Sequence, residues 1–522
     1  MRNFSTIIHM EQEDKSIVIV NSLMCASLEG VEANIVEVEG SLTKGLPNFS
    51  VVGLASSDIQ EAKERAKNAL QASDFELPPL KITINLSPSD IKKSGTHFDL
   101  SIAILVALGD VEIKHKDIFV FGELGLDGRV KSSSLIFPLI LSLKERGFIN
   151  EAIVPKDAIE ALKFIKGVNF YGVETLKEAV DLLSQEKLEA SEHCESSYSA
   201  KELKIGDNIY HYQEEYPEDF KEIKGQELAI RAALISAAGM HNLLLNGNPG
   251  SGKSMIAKRL RYILPPLQDS EILAIARAQF LDNQKPNFAP IRPFRSPHHT
   301  ATSAAIFGGG SHNAKIGEVA LASSGILFFD ELPHFNNKVL EALREPLQDR
   351  VVNIARVNSK VSYSANFLFI GAMNPCPCGN LLSKTKECRC SDLEIKRYKN
   401  RLSDPFLDRI DLFVTMQEVD FSKVSSTTSK ELHQQVIKAF TAQKMRGQAQ
   451  LNGDLKEADI DKFCILENDA KETLELAIER FALSYRSIAN IKKVSRTIAD
   501  LNGNENITKK DLLEALSFRK RS

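Results

Sequence analysis

Gly247-Asn248-Pro249-Gly250-Ser251-Gly252-Lys253-Ser254 fits the phosphate-loop pattern G-x-x-x-x-G-K-[ST] at every fixed position. Its glycines let backbone N–H groups turn inward around phosphates. Lys253 can reach the β- and γ-phosphates, and Ser254 can hold Mg²⁺ through its hydroxyl. The flanks extend the reading. Residues 242–246 (Asn-Leu-Leu-Leu-Asn) read as a buried strand entering the loop, and residues 255–261 as a helix leaving it. Such a helix aims its N-terminus at the phosphates. A chance match in a glycine-rich turn would account for the loop but not for both flanks.

The loop has an acidic partner downstream, Leu327-Phe328-Phe329-Asp330-Glu331. The apolar run 326–329 suits a central parallel strand. Asp330 stands where that strand ends, the place where open α/β sheets bind ligands. It is expected to hold Mg²⁺ through water, and Glu331 to orient or deprotonate the attacking water. Two solvated acids capping a helix would be the reading without the loop upstream. With it, the pair predicts a P-loop α/β core that binds and hydrolyses a nucleoside triphosphate.

The chain of 522 residues has room for three or four domains. With 43% hydrophobic and 26% charged residues it has an ordinary globular composition. No apolar run is long enough to span a bilayer. Residues 1–14 lack a signal-peptide core, so a cytoplasmic location is expected. A net charge of −4 excludes a general nucleic-acid coat but leaves room for a locally basic channel.

Residues 1–20 read as a disordered extension. From there to 185 strands alternate with helices: strands at 35–39, 49–52, 82–85 and 118–121, and helices at 57–71 and 100–108. Ser57 and Gln60 have the spacing of a capping box. The polar, acidic, serine-rich stretch 186–218 reads as a linker, a charged helix being the alternative. The nucleotide core is assigned to 219–420. A helical domain, 421–522, follows, with helices at 432–446, 469–482 and 487–501 and a last one capped by Thr508 and Asp511.

Seven cysteines include two close pairs, Cys376-Pro-Cys378 and Cys388-Arg-Cys390. Four thiolates can close a tetrahedral Zn²⁺ site, although C-x-C is tighter than the common spacing. Four reduced structural cysteines are the alternative. Cys25, Cys194 and Cys464 are isolated.

Further motifs occur in order: Lys224-Gly-Gln226, Arg295-Ser-Pro-His-His-Thr300, Gly308-Gly-Gly310, Pro333-His-Phe335, Glu341-Ala-Leu-Arg-Glu-Pro346, Met373-Asn-Pro-Cys-Pro-Cys-Gly379 and Leu407-Asp-Arg-Ile-Asp411. With the phosphate loop they make the chain resemble the ComM/YifB group of Mg-chelatase-like AAA+ ATPases, over about residues 21–522 apart from the linker. The resemblance implies that Asn374 orients the lytic water and that Arg409 is an arginine finger reaching a neighbouring subunit. It implies that Arg486 is a second sensor on a C-terminal helical lid, and that the assembly is a homo-oligomeric ring, usually a hexamer. Arginine suits the finger role because its planar fork stays charged. Surface ion pairing is the alternative for each arginine.

Two inserts are expected, one at 308–315 and one a hairpin from 351–356 back through 361–364. In the wider clade such elements face the central channel, which makes Lys315, Arg356 and Lys360 candidates for DNA phosphate contacts. As isolated residues they read as solvated charges. The N-terminal segment resembles a Lon-type protease fold of the kind found in Mg-chelatase subunits, through Gly95-Thr-His-Phe-Asp-Leu-Ser101 and Gly122-Glu-Leu-Gly-Leu-Asp-Gly-Arg129. His97 and Phe137 lie near the expected serine and lysine, while Ser101 and Lys131 are at the wrong spacing. A Ser–Lys mechanism needs both groups, so a non-proteolytic module is expected.

For the group as a whole the resemblance implies an ATP-driven DNA motor acting in branch migration during recombination and natural transformation. Remodelling of a protein partner, as in metal-chelatase motors, is the alternative, and ATP-dependent proteolysis is disfavoured.

Overall fold

The computed structural model describes residues 19–109, 111, 113–115, 117–185, 188, 198–309, 315–355, 360–418 and 427–519. The chain forms two compact units, one built from residues up to 197 with 283–286, the other from 198–282 and 287–522. Together they give a mixed α/β, multidomain protein.

The first unit holds a seven-stranded mixed sheet. Its longest strands, Ile19–Glu29 and Glu32–Thr43, pair antiparallel along their full length. The first strand begins inside the stretch read as an extension. Helix Ser57–Ala72 buries Ile59, Ala62, Ala66, Ala69 and Leu70, the apolar stripe that its spacing predicts. The expected capping box does not form. Ser56 is the N-cap, and the Gln60 amide donates to Val51 O at 3.2 Å. Helix Asp99–Leu108 is buried nearly all round, as its apolar composition requires.

The second unit contains a five-stranded parallel sheet. Its order is Phe294–Arg295, Ile326–Phe329, Leu368–Met373, Leu243–Asn246, Leu412–Thr415. The fourth strand in the chain is therefore inserted between the first and the third. Leu243, Leu245, Ile326, Leu327 and Leu368 to Ile370 have no exposed surface, because helices cover both faces. The core is continuous with the C-terminal helices: Leu432, Val436, Ala439, Ile498 and Leu512 pack into the same apolar cluster as the strands. The last helix starts at Lys509, and Thr508 and Asp511 form the capping box expected of them.

The linker reading fails for 201–212. Lys201–Ile205 and Asn208–Tyr212 form a hairpin joined by Gly206-Asp207. Gly206 takes a positive φ of 59°, as a two-residue turn demands. Tyr210 is buried edge-on against Phe440, and His211 exchanges two backbone hydrogen bonds with Leu267. A glycine–aspartate turn followed by Asn-Ile-Tyr-His-Tyr was the signal, masked by the polar residues around it. Most of 186–197 lies outside the described residues.

Candidate functional site

The strand register brings three strand ends to one edge of the sheet. Asn246 pairs with Met373, and Phe329 pairs with Gly371. Gly247 and Asn374 consequently leave the sheet level with each other, while Asp330 leaves it beside Ala372, two residues earlier, with the Asn374 strand in the middle. Gly250 and Gly252 take φ of 78° and 93°, conformations that side chains disfavour, and these turn the loop around its own interior. Gly252 caps the helix Lys253–Leu260, so that helix starts at the loop.

Lys253 is buried. Its ammonium donates to Gly247 O at 2.6 Å, Asn248 O at 3.0 Å and Asn374 Oδ1 at 3.2 Å. Desolvation lowers its pKa, partly opposed by Asp330 and Glu331. Ser254 Oγ donates to Asp330 Oδ2 at 2.9 Å. A hydroxyl and a carboxylate so close are a fitting pair of oxygen ligands for Mg²⁺, which favours few protein oxygens and keeps several waters.

Glu331 has a φ of 52°, uncommon for a side-chain-bearing residue. Its carboxylate lies 3.8 Å from His299 Nδ1, and His299 is flanked by His298 and His334. Sequence reasoning missed this histidine cluster beside the acid, although Arg295-Ser-Pro-His-His-Thr300 carried it. Gln226, which ends the motif Lys224-Gly-Gln226 and was given no role there, donates from its amide to Ser251 O at 3.3 Å and Gln417 O at 2.7 Å. Gln226 lines a cavity of about 250 Å³ with Ile223, Ile230, Arg231 and Leu432 beside the phosphate loop. Its walls mix the apolar Ile223, Ile230, Leu234 and Leu432 with the polar Gln226, Glu227, Arg231 and Gln435.

Arg409 and Arg486 lie at the other end of the sheet. Asn242, just before the first core strand, donates from its amide to Arg409 O at 2.8 Å. Arg409 Nη2 and Arg486 Nη2 both donate to Gln348 Oε1, at 2.7 and 3.1 Å. Desolvation lowers the Arg409 pKa, and the charges of Arg486 and Arg344 add to the effect. Among the described residues neither Arg409 nor Arg486 makes a direct ion pair, although Asp408 and Asp349 act on Arg409 electrostatically. The two guanidinium groups thus meet at one neutral acceptor.

The four clustered cysteines converge: Sγ atoms of Cys376, Cys378, Cys388 and Cys390 all lie within 4.8 Å of one another, a group that could hold a metal. Backbone N–H groups of Asn380 and Arg389 pull the Cys378 thiol down to about 6. By contrast burial pushes up the thiols of Cys25 and Cys464, the latter to about 12.

The expected hairpin is present as Val351–Ala355 paired with Lys360–Ser364, and Gly308–Gly309 pairs with Lys315–Ile316. Arg356 and the side chains of Lys315 and Lys360 lie outside the described residues. In the first unit His97 is buried with Nε2 2.8 Å from Ala26 O, and Phe137 is buried. Ser101 is buried and donates to Phe98 O at 2.8 Å, while Lys131 is exposed. No helix is long and apolar enough to cross a membrane among the described residues.

Three family models match in chain order: subunit ChlI of Mg-chelatase over 38–158, magnesium chelatase subunit ChlI over 219–424, and its C-terminal part over 426–519. The chain is 38% identical over 501 residues to competence protein ComM of Haemophilus influenzae, covering 94% of this chain and 95% of that one. It is 36% identical over 509 residues to YifB of Salmonella typhimurium, with the same coverage of 94% and 95%. The magnesium-chelatase 67 kDa subunit of Heliobacterium mobile is 26% identical over 184 residues, 29% of this chain and 27% of that one. With its motifs, its parallel P-loop sheet and near full-length relatives in agreement, this chain belongs to the ComM/YifB family of Mg-chelatase-like AAA+ proteins.

Proposed function

We propose that the protein is a ring-forming ATPase that moves DNA. The observation that carries the ATPase reading is the convergence of Lys253, Ser254, Asp330, Glu331 and Asn374 at adjacent strand ends. In this reading Lys253 grips the β- and γ-phosphates, and Mg²⁺ held by Ser254 and Asp330 neutralises phosphate charge. Asn374 orients the attacking water, and Glu331 takes its proton. Arg409 and Arg486 act together on the nucleotide of the neighbouring subunit, which makes a homo-oligomer, in our reading a hexamer, necessary for turnover. The four cysteines hold Zn²⁺. The N-terminal unit is a non-proteolytic Lon-like docking module, and the C-terminal helices are the lid.

DNA as the substrate rests on the near full-length likeness to a competence protein. The activity is branch migration on DNA in recombination, in the cytoplasm. The partial likeness to a magnesium-chelatase subunit favours a second reading, remodelling of a protein partner, over a much smaller share of the chain.

Forked DNA should raise the ATPase rate, and the stimulation should fall with salt as counterion release is suppressed. Replacing Lys315, Arg356 and Lys360 by alanine should remove the stimulation and spare basal hydrolysis. Assembled wild-type rings showing neither DNA-stimulated hydrolysis nor strand movement on forks, junctions or single strands would leave the protein-remodelling reading.

A further inference from the structure

The loop carrying the four cysteines lies against the phosphate loop. Gly379 packs on Pro249 so closely that an added Cβ would stand 2.6 Å from the proline Cδ. The Asn248 amide, oriented to satisfy both neighbours, donates to Gly379 O at 2.8 Å and accepts from Ser383 N–H at 3.0 Å. The Ser383 hydroxyl donates to Glu418, just past the last core strand. Two residues of the phosphate loop are thus held from outside by a segment lying between the two cysteine pairs.

That segment buries little apolar surface. Its large apolar residues, Leu381 and Leu382, are 38% and 39% exposed. Ser383 organises it through hydrogen bonds with Asn380, Thr385, Lys386 and Glu418, and a cross-link between the flanking cysteines would fix its two ends. The Cys376–Cys378, Cys376–Cys388 and Cys378–Cys388 sulfur distances are 3.5, 3.7 and 3.6 Å. A disulfide needs about 2.05 Å. A tetrahedron with Zn–S bonds of about 2.3 Å has sulfur–sulfur edges of about 3.8 Å.

We infer that one Zn²⁺ bound by Cys376, Cys378, Cys388 and Cys390 clamps the phosphate loop through Gly379 and Ser383, so that nucleotide affinity depends on the metal. This rests on the reading of the phosphate loop as an ATP site. Without the ion, residues 379–387 lose their fixed path and Asn248 loses both partners. The loop N–H groups are then no longer preorganised, and binding must order them at a cost.

The test uses full-length protein kept reduced, with elemental analysis for zinc and a fluorescent ADP analogue for affinity. The wild type should carry about one zinc per chain and bind the analogue. Replacing both Cys388 and Cys390 with serine should remove zinc and weaken binding by at least about tenfold, the effect of losing two ordinary hydrogen bonds. Gly379→Ala keeps all four thiols, so it should retain zinc and still weaken binding. If the cysteine variant does not fold, as judged by circular dichroism, Gly379→Ala decides. A zinc-free wild type overturns the metal site. Zinc-loaded Gly379→Ala binding as tightly as wild type overturns the clamp and leaves the ATPase reading intact. A zinc-loaded wild type that binds no nucleotide overturns the ATPase reading itself.

Discussion

Lys253 directs its ammonium at two carbonyls of its own loop and at the side chain of Asn374. It is therefore held where phosphate oxygens would lie, with little side-chain entropy left to lose on binding. Glu331 differs from it. More than half of its side chain is exposed, and its backbone sits in a left-handed conformation that costs on the order of 1 kcal/mol. These environments predict different phenotypes. Lys253→Ala should abolish nucleotide binding, measured with a fluorescent analogue. Glu331→Gln keeps shape and backbone, so it should bind normally and lose turnover. Wild-type hydrolysis by Glu331→Gln would remove it as the base. Both residues were legible in the sequence, because each belongs to a local motif. His299 was not singled out, since its 3.8 Å approach to Glu331 joins segments more than thirty residues apart.

Among the elements, the helix Tyr485–Asn502 carries the polar network of the C-terminal part. Asp500 accepts two hydrogen bonds from Arg446 at 2.8 Å each and one from Asn452 at 2.8 Å. It also pairs at 2.9 Å with Arg496, of which only 1% is exposed. Arg496 keeps two carbonyl partners, Asn504 O and Glu505 O, both at 2.7 Å. Asp500→Ala would leave one buried and one half-buried guanidinium without their carboxylate. Breaking such a pair costs about 3–5 kcal/mol, and the surviving carbonyls put the cost near the lower end. Urea denaturation should show a midpoint shift of that size, and a shift under about 1 kcal/mol would mean that water replaces the carboxylate. The helix itself was predictable from its spacing. The network was not, since Arg446, Asn452 and Asp500 meet only when helices pack.

For the whole molecule, the decisive fact is the position of the two arginines. Asn242 ties Arg409 to the start of a strand whose far end is the phosphate loop. That four-residue strand spans roughly 13 Å. The arginine anchor therefore faces away from the chain's own phosphates, and our reading gives both arginines to a neighbour. Arg409→Ala should leave nucleotide binding nearly intact and cut hydrolysis by on the order of 10³. Arg486→Ala should do the same in direction. Mixed rings of Arg409→Ala and Lys253→Ala subunits should recover activity, because each defect lies on a different side of a shared site. No recovery in verified mixed rings would refute action in trans.

The sequence by itself determined the phosphate loop, the acidic strand end, the helical periods of the C-terminal part and the pairing of the cysteines, because each is encoded within a few adjacent residues. Only the tertiary structure decided that the fourth core strand enters between the first and the third and so sets Asn374 between Lys253 and Asp330. It also decided that Arg486 joins Arg409 at Gln348, and that the cysteine loop rests on Asn248 and Pro249. Strand order and loop docking come from burying apolar faces shared by distant segments, and no local pattern specifies which distant faces meet.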